Sequence, residues 1–296
     1  MCAPQSKVNI CNETAIQIRN MTEEEIINPK KQSQFRNNFS PTTKKNNATS
    51  KKHKNKNKKS PKKKSKKQKQ KQQQNKPAEQ QQLTLEEQGR YVALDCEFVG
   101  VGPGGYEHAL ARVSLVDWNN AVLLDTHVRV SESTPVTDYR TFVSGVREEH
   151  LLPDVAMESE KCIAIVKKLL QGRILVGHGL KNDLTVLGIT HPWYNTRDTA
   201  KYEPFMKKAK KVTDSISTST STLPRSRKLK DLALTKLDRV IQKEGESHCS
   251  IEDSIAALDL YKKARGKWEK VMEYKVGRTQ EIECDDAMYF MLCNEE

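Results

Sequence analysis

Two acidic residues, Asp95 and Glu97, stand at the end of the apolar segment Arg90–Glu97 (RYVALDCE). In a β-strand, residues i and i+2 point to the same side, so the two carboxylates would share one face. Burying both is costly unless a cation compensates their charge. Hard divalent ions such as Mg²⁺ and Mn²⁺ prefer carboxylate oxygens. The pair therefore indicates a metal site, although a D-x-E pattern alone also fits a solvated strand end.

A third acidic candidate, Asp183, follows a glycine turn further along the chain. The segment Gly177–Asp183 (GHGLKND) predicts a strand that ends in this turn and leads directly into a helix. An acid in the first turn of a helix is also favoured by the helix dipole alone. Asp183 by itself thus fits both a metal-binding and a purely local role.

His248 and Asp253 form the third pair. His248 falls in a loop before a long predicted helix, Ser250–Lys270, and Asp253 falls in the first turn of that helix. Ser250 is a suitable N-cap. A loop histidine can approach a substrate while the helical acid is held rigidly, but a solvated histidine and a dipole-compensating acid fit the same pattern.

The elements that must position these residues can be read from the apolar pattern. Alternating and continuous apolar runs predict strands, and apolar residues at helical spacing predict helices. A tight turn at Asn119-Asn120 predicts a hairpin between the second and third strands. The predicted strands are Arg90–Glu97, Ala109–Trp118, Ala121–Val130, Arg173–Gly177 and Thr196–Thr199; the predicted helices are Val155–Leu170, Leu180–Leu187, Leu229–Leu237 and Ser250–Lys270.

This order predicts one α/β domain. The first three strands should be antiparallel, and the later two should arrive through helical crossovers and run parallel to the first strand. The expected core is therefore a mixed five-stranded sheet flanked by helices. The candidate residues all stand at the ends of its elements.

Longer segments around these residues resemble the DEDD exonuclease superfamily, histidine subtype, and within it the RNA exonuclease 4 family. The resemblance covers roughly Tyr91–Trp268, with the motifs in the family's order and spacing. The segments that carry it are ALDCEFVGVG, ARVSLVD, PVTDYRTFVSGV, GRILVGHGLKNDL and HCSIEDSIAALDLY.

The resemblance implies a ribonuclease H-like fold that releases nucleoside 5′-monophosphates from a 3′ end. It implies that Asp95, Glu97, Asp183 and Asp253 hold two Mg²⁺ or Mn²⁺ ions and that His248 is the general base. Phe98 stands where the family often has Met, so we expect an apolar substrate contact there.

Four other features have a chemical and a structural interpretation. Arg112 is a candidate phosphate contact or the partner of a carboxylate. We favour packing for His178 and structural hydrogen bonding for Asp198. The segment Gly100–Gly105 matches a dinucleotide-binding pattern, but a strand follows it instead of a helix, which argues against a cofactor site.

The basic excess of the chain lies in its first part. Residues 1–90 carry 22 Lys and Arg against 7 Asp and Glu, whereas residues 91–296 carry 29 against 31. We expect a disordered, lysine-rich tail over 1–82 that binds polyanions without sequence preference, and nuclear or nucleolar targeting. The catalytic domain should span 83–272, followed by an acidic tail over 273–296 without an assigned role.

The expected function is metal-dependent trimming of RNA, in ribosomal RNA processing, by a monomer that meets pre-ribosomal particles. A DNA exonuclease and a non-catalytic RNA-binding assembly factor are the alternatives. The odd number of cysteines, 7, without C-x-x-C spacing predicts reduced thiols. No apolar run is long enough for a membrane span. A Ser/Thr-rich insertion is expected over 212–224.

Overall fold

The structure is a computed structural model that describes residues 82–208 and 224–293, with side chains described up to residue 281. Six strands and six α-helices are seen in these residues, joined by short 3₁₀ turns and one π-helical turn, Ala233–Leu237. The strands are β1 Tyr91–Val101, β2 Glu107–Asp117, β3 Val122–His127, β4 Val136–Asp138, β5 Ile174–Gly177 and β6 Thr196–Asp198. The helices are α1 Leu85–Gly89, α2 Thr141–Ser144, α3 Ser159–Leu170, α4 Lys181–Leu187, α5 Leu229–Leu232 and α6 Ser250–Cys293.

The sheet has the order β3-β2-β1-β5-β6. The pairs β1–β2 and β2–β3 are antiparallel, and β1–β5 and β5–β6 are parallel. The mixed α/β architecture expected from the sequence is therefore confirmed. The expected strand count of five was wrong, because β4 also pairs with the end of β1. β4 has only three residues and shows no period that the sequence could reveal.

The two faces of the sheet bury different helices. On one face, Val92, Leu94 and Cys96 of β1 pack with Ile165 and Leu169 of α3. On the other face, the alternate residues Tyr91 and Ala93 pack with α5 and α6. Because side chains alternate along a strand, Asp95 and Glu97 share the parity of Tyr91 and Ala93 and belong to the face that α6 covers.

Helix α6 is longer than the sequence analysis expected. It begins at Ser250 as predicted but continues to Cys293, a length of 44 residues, so the backbone shows no boundary between positions 272 and 273. Ser250 lies at its first residue, with its hydroxyl 2.5 Å from that of Ser114 on β2. Among the described residues, no helix is both long and apolar enough to cross a membrane.

Two expected segments cannot be compared with the structure. The basic tail falls outside the described residues up to position 81, and the Ser/Thr-rich insertion does so up to position 223. Within the described residues, Cys96 and Cys162 are buried thiols.

Candidate active site

Asp95 and Glu97 lie in the second half of β1, on the face toward α6. Glu97 is buried and Asp95 is half-buried. A β-bulge between Glu97 and Phe98 shifts the register against β2 immediately after the second acid. Bulges re-aim the side chains beside them, and the pairing resumes after this bulge in a new register at Phe98 and Leu110.

Asp183 is brought to β1 by the short helix α4. Its Oδ1 atom accepts a hydrogen bond from the backbone N–H of Cys96, at 3.1 Å. The close approach of α4 to β1 depends on Gly177. A Cβ atom at this position would lie 2.3 Å from Cδ2 of Leu180 and 2.9 Å from the carbonyl oxygen of Leu94. The glycine turn noted in the sequence therefore lets α4 start directly against β1.

Asp253 projects from the first turn of α6 and is 3% exposed. Its Oδ2 atom accepts a hydrogen bond of 2.7 Å from Nε2 of Gln242. Gln242 adopts a left-handed backbone conformation, with φ of 49°. A non-glycine residue in this region is strained, so the loop before α6 is held in an unfavourable conformation beside the carboxylate.

His248 lies in the same loop, with Nδ1 3.9 Å from Oδ2 of Asp253. Its backbone N–H donates to the carbonyl oxygen of Val143 in α2, at 2.8 Å. The loop packs closely against Gly145, which has φ of +69°, and a Cβ atom there would lie 2.9 Å from the hydroxyl oxygen of Ser247. Contacts with α2 and the turn after it therefore fix the position of His248.

The four carboxyl groups share an environment that disfavours their charge. Burial raises the pKa of Asp95 well above its usual range, and the charges of Asp253, Asp183 and Glu97 raise it further. Burial likewise raises the pKa of Glu97 to about 8, that of Asp253 to about 7 and that of Asp183 to about 6. Such shifts concentrate where like charges gather in a buried site.

The hydrogen bonding of these groups is incomplete. Glu97 Oε1 and Asp253 Oδ1 are buried and have no hydrogen-bond partner. Buried carboxylate oxygens normally have a partner, and a divalent cation would satisfy both oxygens while compensating the charge. In the described part of the chain, however, no three His, Cys, Asp or Glu side chains already converge as a metal-binding group. The residues therefore fit divalent ions by their chemistry and not by a preformed coordination geometry.

Phe98 and Arg112, the two residues expected to contact the substrate, both contact other residues of the chain. Phe98 is partly buried against the core and meets the ring of His108 edge-on, with centroids 6.0 Å apart. Arg112 makes a bidentate ion pair with buried Asp125, with both N–O distances at 2.9 Å. The structure thus supports the interpretation of Arg112 as the partner of a carboxylate. Its charge offsets part of the rise in the pKa of Glu97, which lies opposite it on β1.

His178 and Asp198 have structural contacts. Nδ1 of His178 lies 2.9 Å from the hydroxyl of Thr199. Oδ1 of Asp198 accepts from the backbone N–H groups of Gly179 and Ala200. Asp198 therefore supports the glycine turn that leads to Asp183. The segment Gly100–Gly105 contains the turn Pro103–Gly105 and leads into β2 instead of a helix, as expected.

Two residues that contact site residues or their neighbours were not predicted as site residues from the sequence. One is Gln242, whose loop has no recognisable pattern. The other is Arg140, which has φ of 48° and contacts the carbonyl oxygen of Gly105 and Nδ1 of His108 at 2.6 and 2.7 Å. His108 in turn contacts Phe98. The only sequence signal for Arg140 is its place in the segment PVTDYRTFVSGV.

A mixed sheet with buried, interacting carboxyl groups and a nearby histidine is typical of α/β nucleases. The chain belongs to the RNase T exonuclease family, whose model matches residues 92–261. Enzymes of this family generally depend on divalent metal ions.

Curated relatives that match this chain are named RNA exonuclease 4. The chain is 44% identical over 188 residues to RNA exonuclease 4 of Saccharomyces cerevisiae, covering 63% of this chain and 58% of the relative. It is 42% identical over 182 residues to RNA exonuclease 4 of Homo sapiens, covering 62% of this chain and 39% of the relative. The match to the Cryptococcus neoformans protein of that name covers 41% of the relative. The chain thus spans between 39% and 58% of the length of these relatives.

Among solved structures, the chain is similar to the pseudoubiquitin hydrolase–RNA exonuclease module of Saccharomyces cerevisiae Pan2. The identity is 29%, the TM-score is 0.49, and the match covers 67% of this chain and 34% of that one. The Pan2 catalytic unit of Neurospora crassa matches with 27% identity and a TM-score of 0.48, covering 63% and 29%.

Proposed function

We propose that this chain is a metal-dependent 3′→5′ exoribonuclease that releases nucleoside 5′-monophosphates. One observation carries the proposal. Four carboxyl groups with raised pKa values interact around the second half of β1, with two buried oxygens unsatisfied and His248 3.9 Å from one of the acids. A purely structural cluster would have paired these charges with cations or hydrogen-bond donors.

Asp95, Glu97, Asp183 and Asp253 would hold two Mg²⁺ or Mn²⁺ ions. When bound, such ions lower the pKa of a water nucleophile and stabilise the charge on the attacking and leaving oxygens. The chain's own contribution is to hold four carboxylates on rigid elements. β1 supplies two of them, and the first turns of α4 and α6 supply one each.

His248 would accept the proton of the attacking water. A general base must be neutral before it acts, and burial together with the charge of Lys230 lowers the pKa of His248. Its imidazole is therefore neutral at neutral pH. With about a third of the side chain exposed, the ring can return its proton to solvent.

RNA is favoured over DNA as substrate because the similar curated relatives are named RNA exonuclease 4. The lysine-rich segment before the domain supports affinity for a polyanion but does not distinguish the two. A role in ribosomal RNA processing, contact with pre-ribosomal particles and a nuclear or nucleolar location are parts of the proposal that rest on family resemblance and on this basic segment.

The deciding experiment compares matched RNA and DNA oligonucleotides labelled at the 5′ or the 3′ end. With Mg²⁺ or Mn²⁺, we expect stepwise shortening of 5′-labelled RNA, release of nucleoside 5′-monophosphates, and no activity with chelator. The matched control is Asp95→Asn, which removes one charge at nearly constant volume. Faster DNA degradation would favour the DNA exonuclease, and no mononucleotide release with either metal would refute the enzyme.

Replacing the intact protein by a variant in cells tests the alternative that the chain is a non-catalytic RNA-binding assembly factor. If shortening of RNA is the function, Asp95→Asn should bind RNA but fail to replace the intact protein. Full replacement by this variant would favour the RNA-binding factor over the nuclease.

A further inference from the structure

An open groove of about 980 Å³ lies between α4, β6 and the middle of α6. Its floor is apolar and includes Leu184, Trp268 and Met272. Trp193 and Val271, on its walls, are 48% and 46% exposed. The groove is thus a continuous apolar surface, and such surfaces mark interaction sites more often than isolated exposed residues do.

The rim of the groove is basic. Four lysines line it, and the acids that line it are Asp198 and Glu203. Asp198 is 7% exposed and accepts backbone hydrogen bonds, so it contributes little to the open rim. An occupant should therefore combine apolar side chains with negative charge. The lysines are Lys181, Lys201, Lys267 and Lys275.

Helix α6 supplies one wall of the groove and then continues beyond the domain. Met272 is the last buried residue described on it, and the helix runs 21 residues further to Cys293. At 1.5 Å per residue this extension is about 30 Å long. Helical segments are stabilised mainly by tertiary packing of their apolar residues, so apolar residues in this extension call for a packing partner.

The sequence of the extension has the composition that the groove requires. Four acids lie within Glu281–Asp286, and the run Ala287–Cys293 (AMYFMLC) is apolar throughout. Because this extension continues the helix that forms the groove wall, it cannot fold back into its own groove without breaking α6. A second chain placed antiparallel can present the same segment without any break.

We infer that two copies of this chain pair through α6, each placing its acidic–apolar extension 281–293 in the groove of the other. The pairing is isologous, since groove and occupant lie on the same helix and a two-fold axis exchanges them. It brings the acids of Glu281–Asp286 to the lysine rim and the apolar run to Val271 and Trp193. This dimer would replace the monomer expected from the sequence.

The mass of the full-length chain in solution, measured by sedimentation or light scattering over a concentration series, tests this inference. We expect a dimer whose dissociation constant rises with salt, because the rim charges are exposed. Val271→Asp, in the groove, and Phe290→Asp, in the extension, should each give monomers. Val240→Asp is the matched control, since Val240 is 59% exposed and does not line the groove.

Exchanging the charges of one groove residue and one extension residue tests whether the extension 281–293 occupies the groove. Lys275→Glu should weaken the dimer at least tenfold, and adding Glu283→Lys should restore it, whereas Lys270→Glu, outside the groove, should change nothing. A monomer at all concentrations would overturn the inference. So would a dimer that survives both Val271→Asp and Phe290→Asp. If groove variants lower RNA affinity without changing mass, the groove binds nucleic acid and the inference is wrong. Because mass is the measurement, failure here is distinct from failure of the nuclease assay.

Discussion

The backbone N–H of Cys96 donates a hydrogen bond to Oδ1 of Asp183, joining residues 87 positions apart. Cys96 stands between Asp95 and Glu97 on β1, so one bond ties the third carboxylate to the strand that carries the first two. The spacing of the acidic site is therefore set by backbone geometry, and the side chain of Asp183 has both a structural and a chemical role.

Two substitutions separate these roles of Asp183. Asp183→Asn keeps an oxygen acceptor for the Cys96 N–H, so we expect near-normal stability with loss of nuclease activity. Asp183→Ala leaves a buried N–H without a partner, which costs about 1–3 kcal/mol. Urea unfolding and nuclease assays measure the two effects. Equal stability of both variants would show that the hydrogen bond contributes nothing.

His248→Gln should lower the rate of cleavage by about 10²- to 10⁴-fold, the usual contribution of a general base. The side chain of His248 is partly exposed and is not proposed as a metal ligand, so the melting temperature and its rise with Mn²⁺ should be unchanged. Single-turnover cleavage and thermal melts are the measurements. Loss of the Mn²⁺ effect would instead make His248 a ligand.

Divalent ions should stabilise the folded chain through the carboxylates. At a hundred times the dissociation constant, binding adds about 2.7 kcal/mol, which for a domain of this size is a rise in melting temperature of about 5–10 °C. We expect Asp253→Asn to remove most of this rise at pH 7.5. A melting temperature that rises equally in the variant would place the ions elsewhere.

Stability without metal should fall as the pH rises. The pKa of Glu97 is about 8 in the folded protein against about 4.5 in the unfolded chain, so the folded state binds the proton more tightly. The contribution of Glu97 is complete below pH 4.5 and is lost as the pH approaches 8. At about 1.4 kcal/mol per pKa unit the loss is a few kcal/mol.

Urea unfolding with chelator at pH 5, 6.5 and 8 measures this slope. Glu97→Gln is the control, because its side chain does not titrate in this range, and the difference between the two proteins isolates Glu97. If the difference grows in favour of the intact protein as the pH rises, the sign of the pKa shift is wrong.

Arg112→Ala should destabilise the fold, because it leaves Asp125, which is 1% exposed, as a buried charge without its ion pair. Breaking a buried pair from one side costs about 3–5 kcal/mol. Arg278→Ala is the control: its pair with Glu281 is exposed on both sides and should be worth less than about 1 kcal/mol. A stable Arg112 variant with weakened RNA binding would make Arg112 a substrate contact.

The sequence predicted the fold well where elements are long or periodic. β1, β2, β3 and α3 were all found because apolar alternation or helical spacing extends over many residues. β4 was missed because three residues define no period. The end of α6 was missed because the apolar pattern fades after Lys270, while the structure continues the helix through Gly277.

The sequence was sufficient to predict the candidate site residues but not the residues whose contacts hold the surrounding loops in place. Asp95, Glu97, Asp183, His248 and Asp253 stand out because each lies at or beside the end of an element that the sequence predicts. Gln242 and Arg140 could not be found in this way. Both adopt positive φ angles without being glycine, and such conformations are imposed by tertiary contacts that no local pattern encodes.

The contact between the His248 loop and α2 positions the proposed proton acceptor independently of the proposed metal ligands. His248 is anchored by one backbone bond to Val143 and by close packing of Ser247 on Gly145, whereas Asp95, Glu97, Asp183 and Asp253 sit on regular elements. A single such bond is worth only about 1 kcal/mol. If the proposed function holds, lifting the loop would withdraw the proton acceptor while the carboxylates on β1 and α4 stayed in place, so hydrolysis could be interrupted at a low energetic cost.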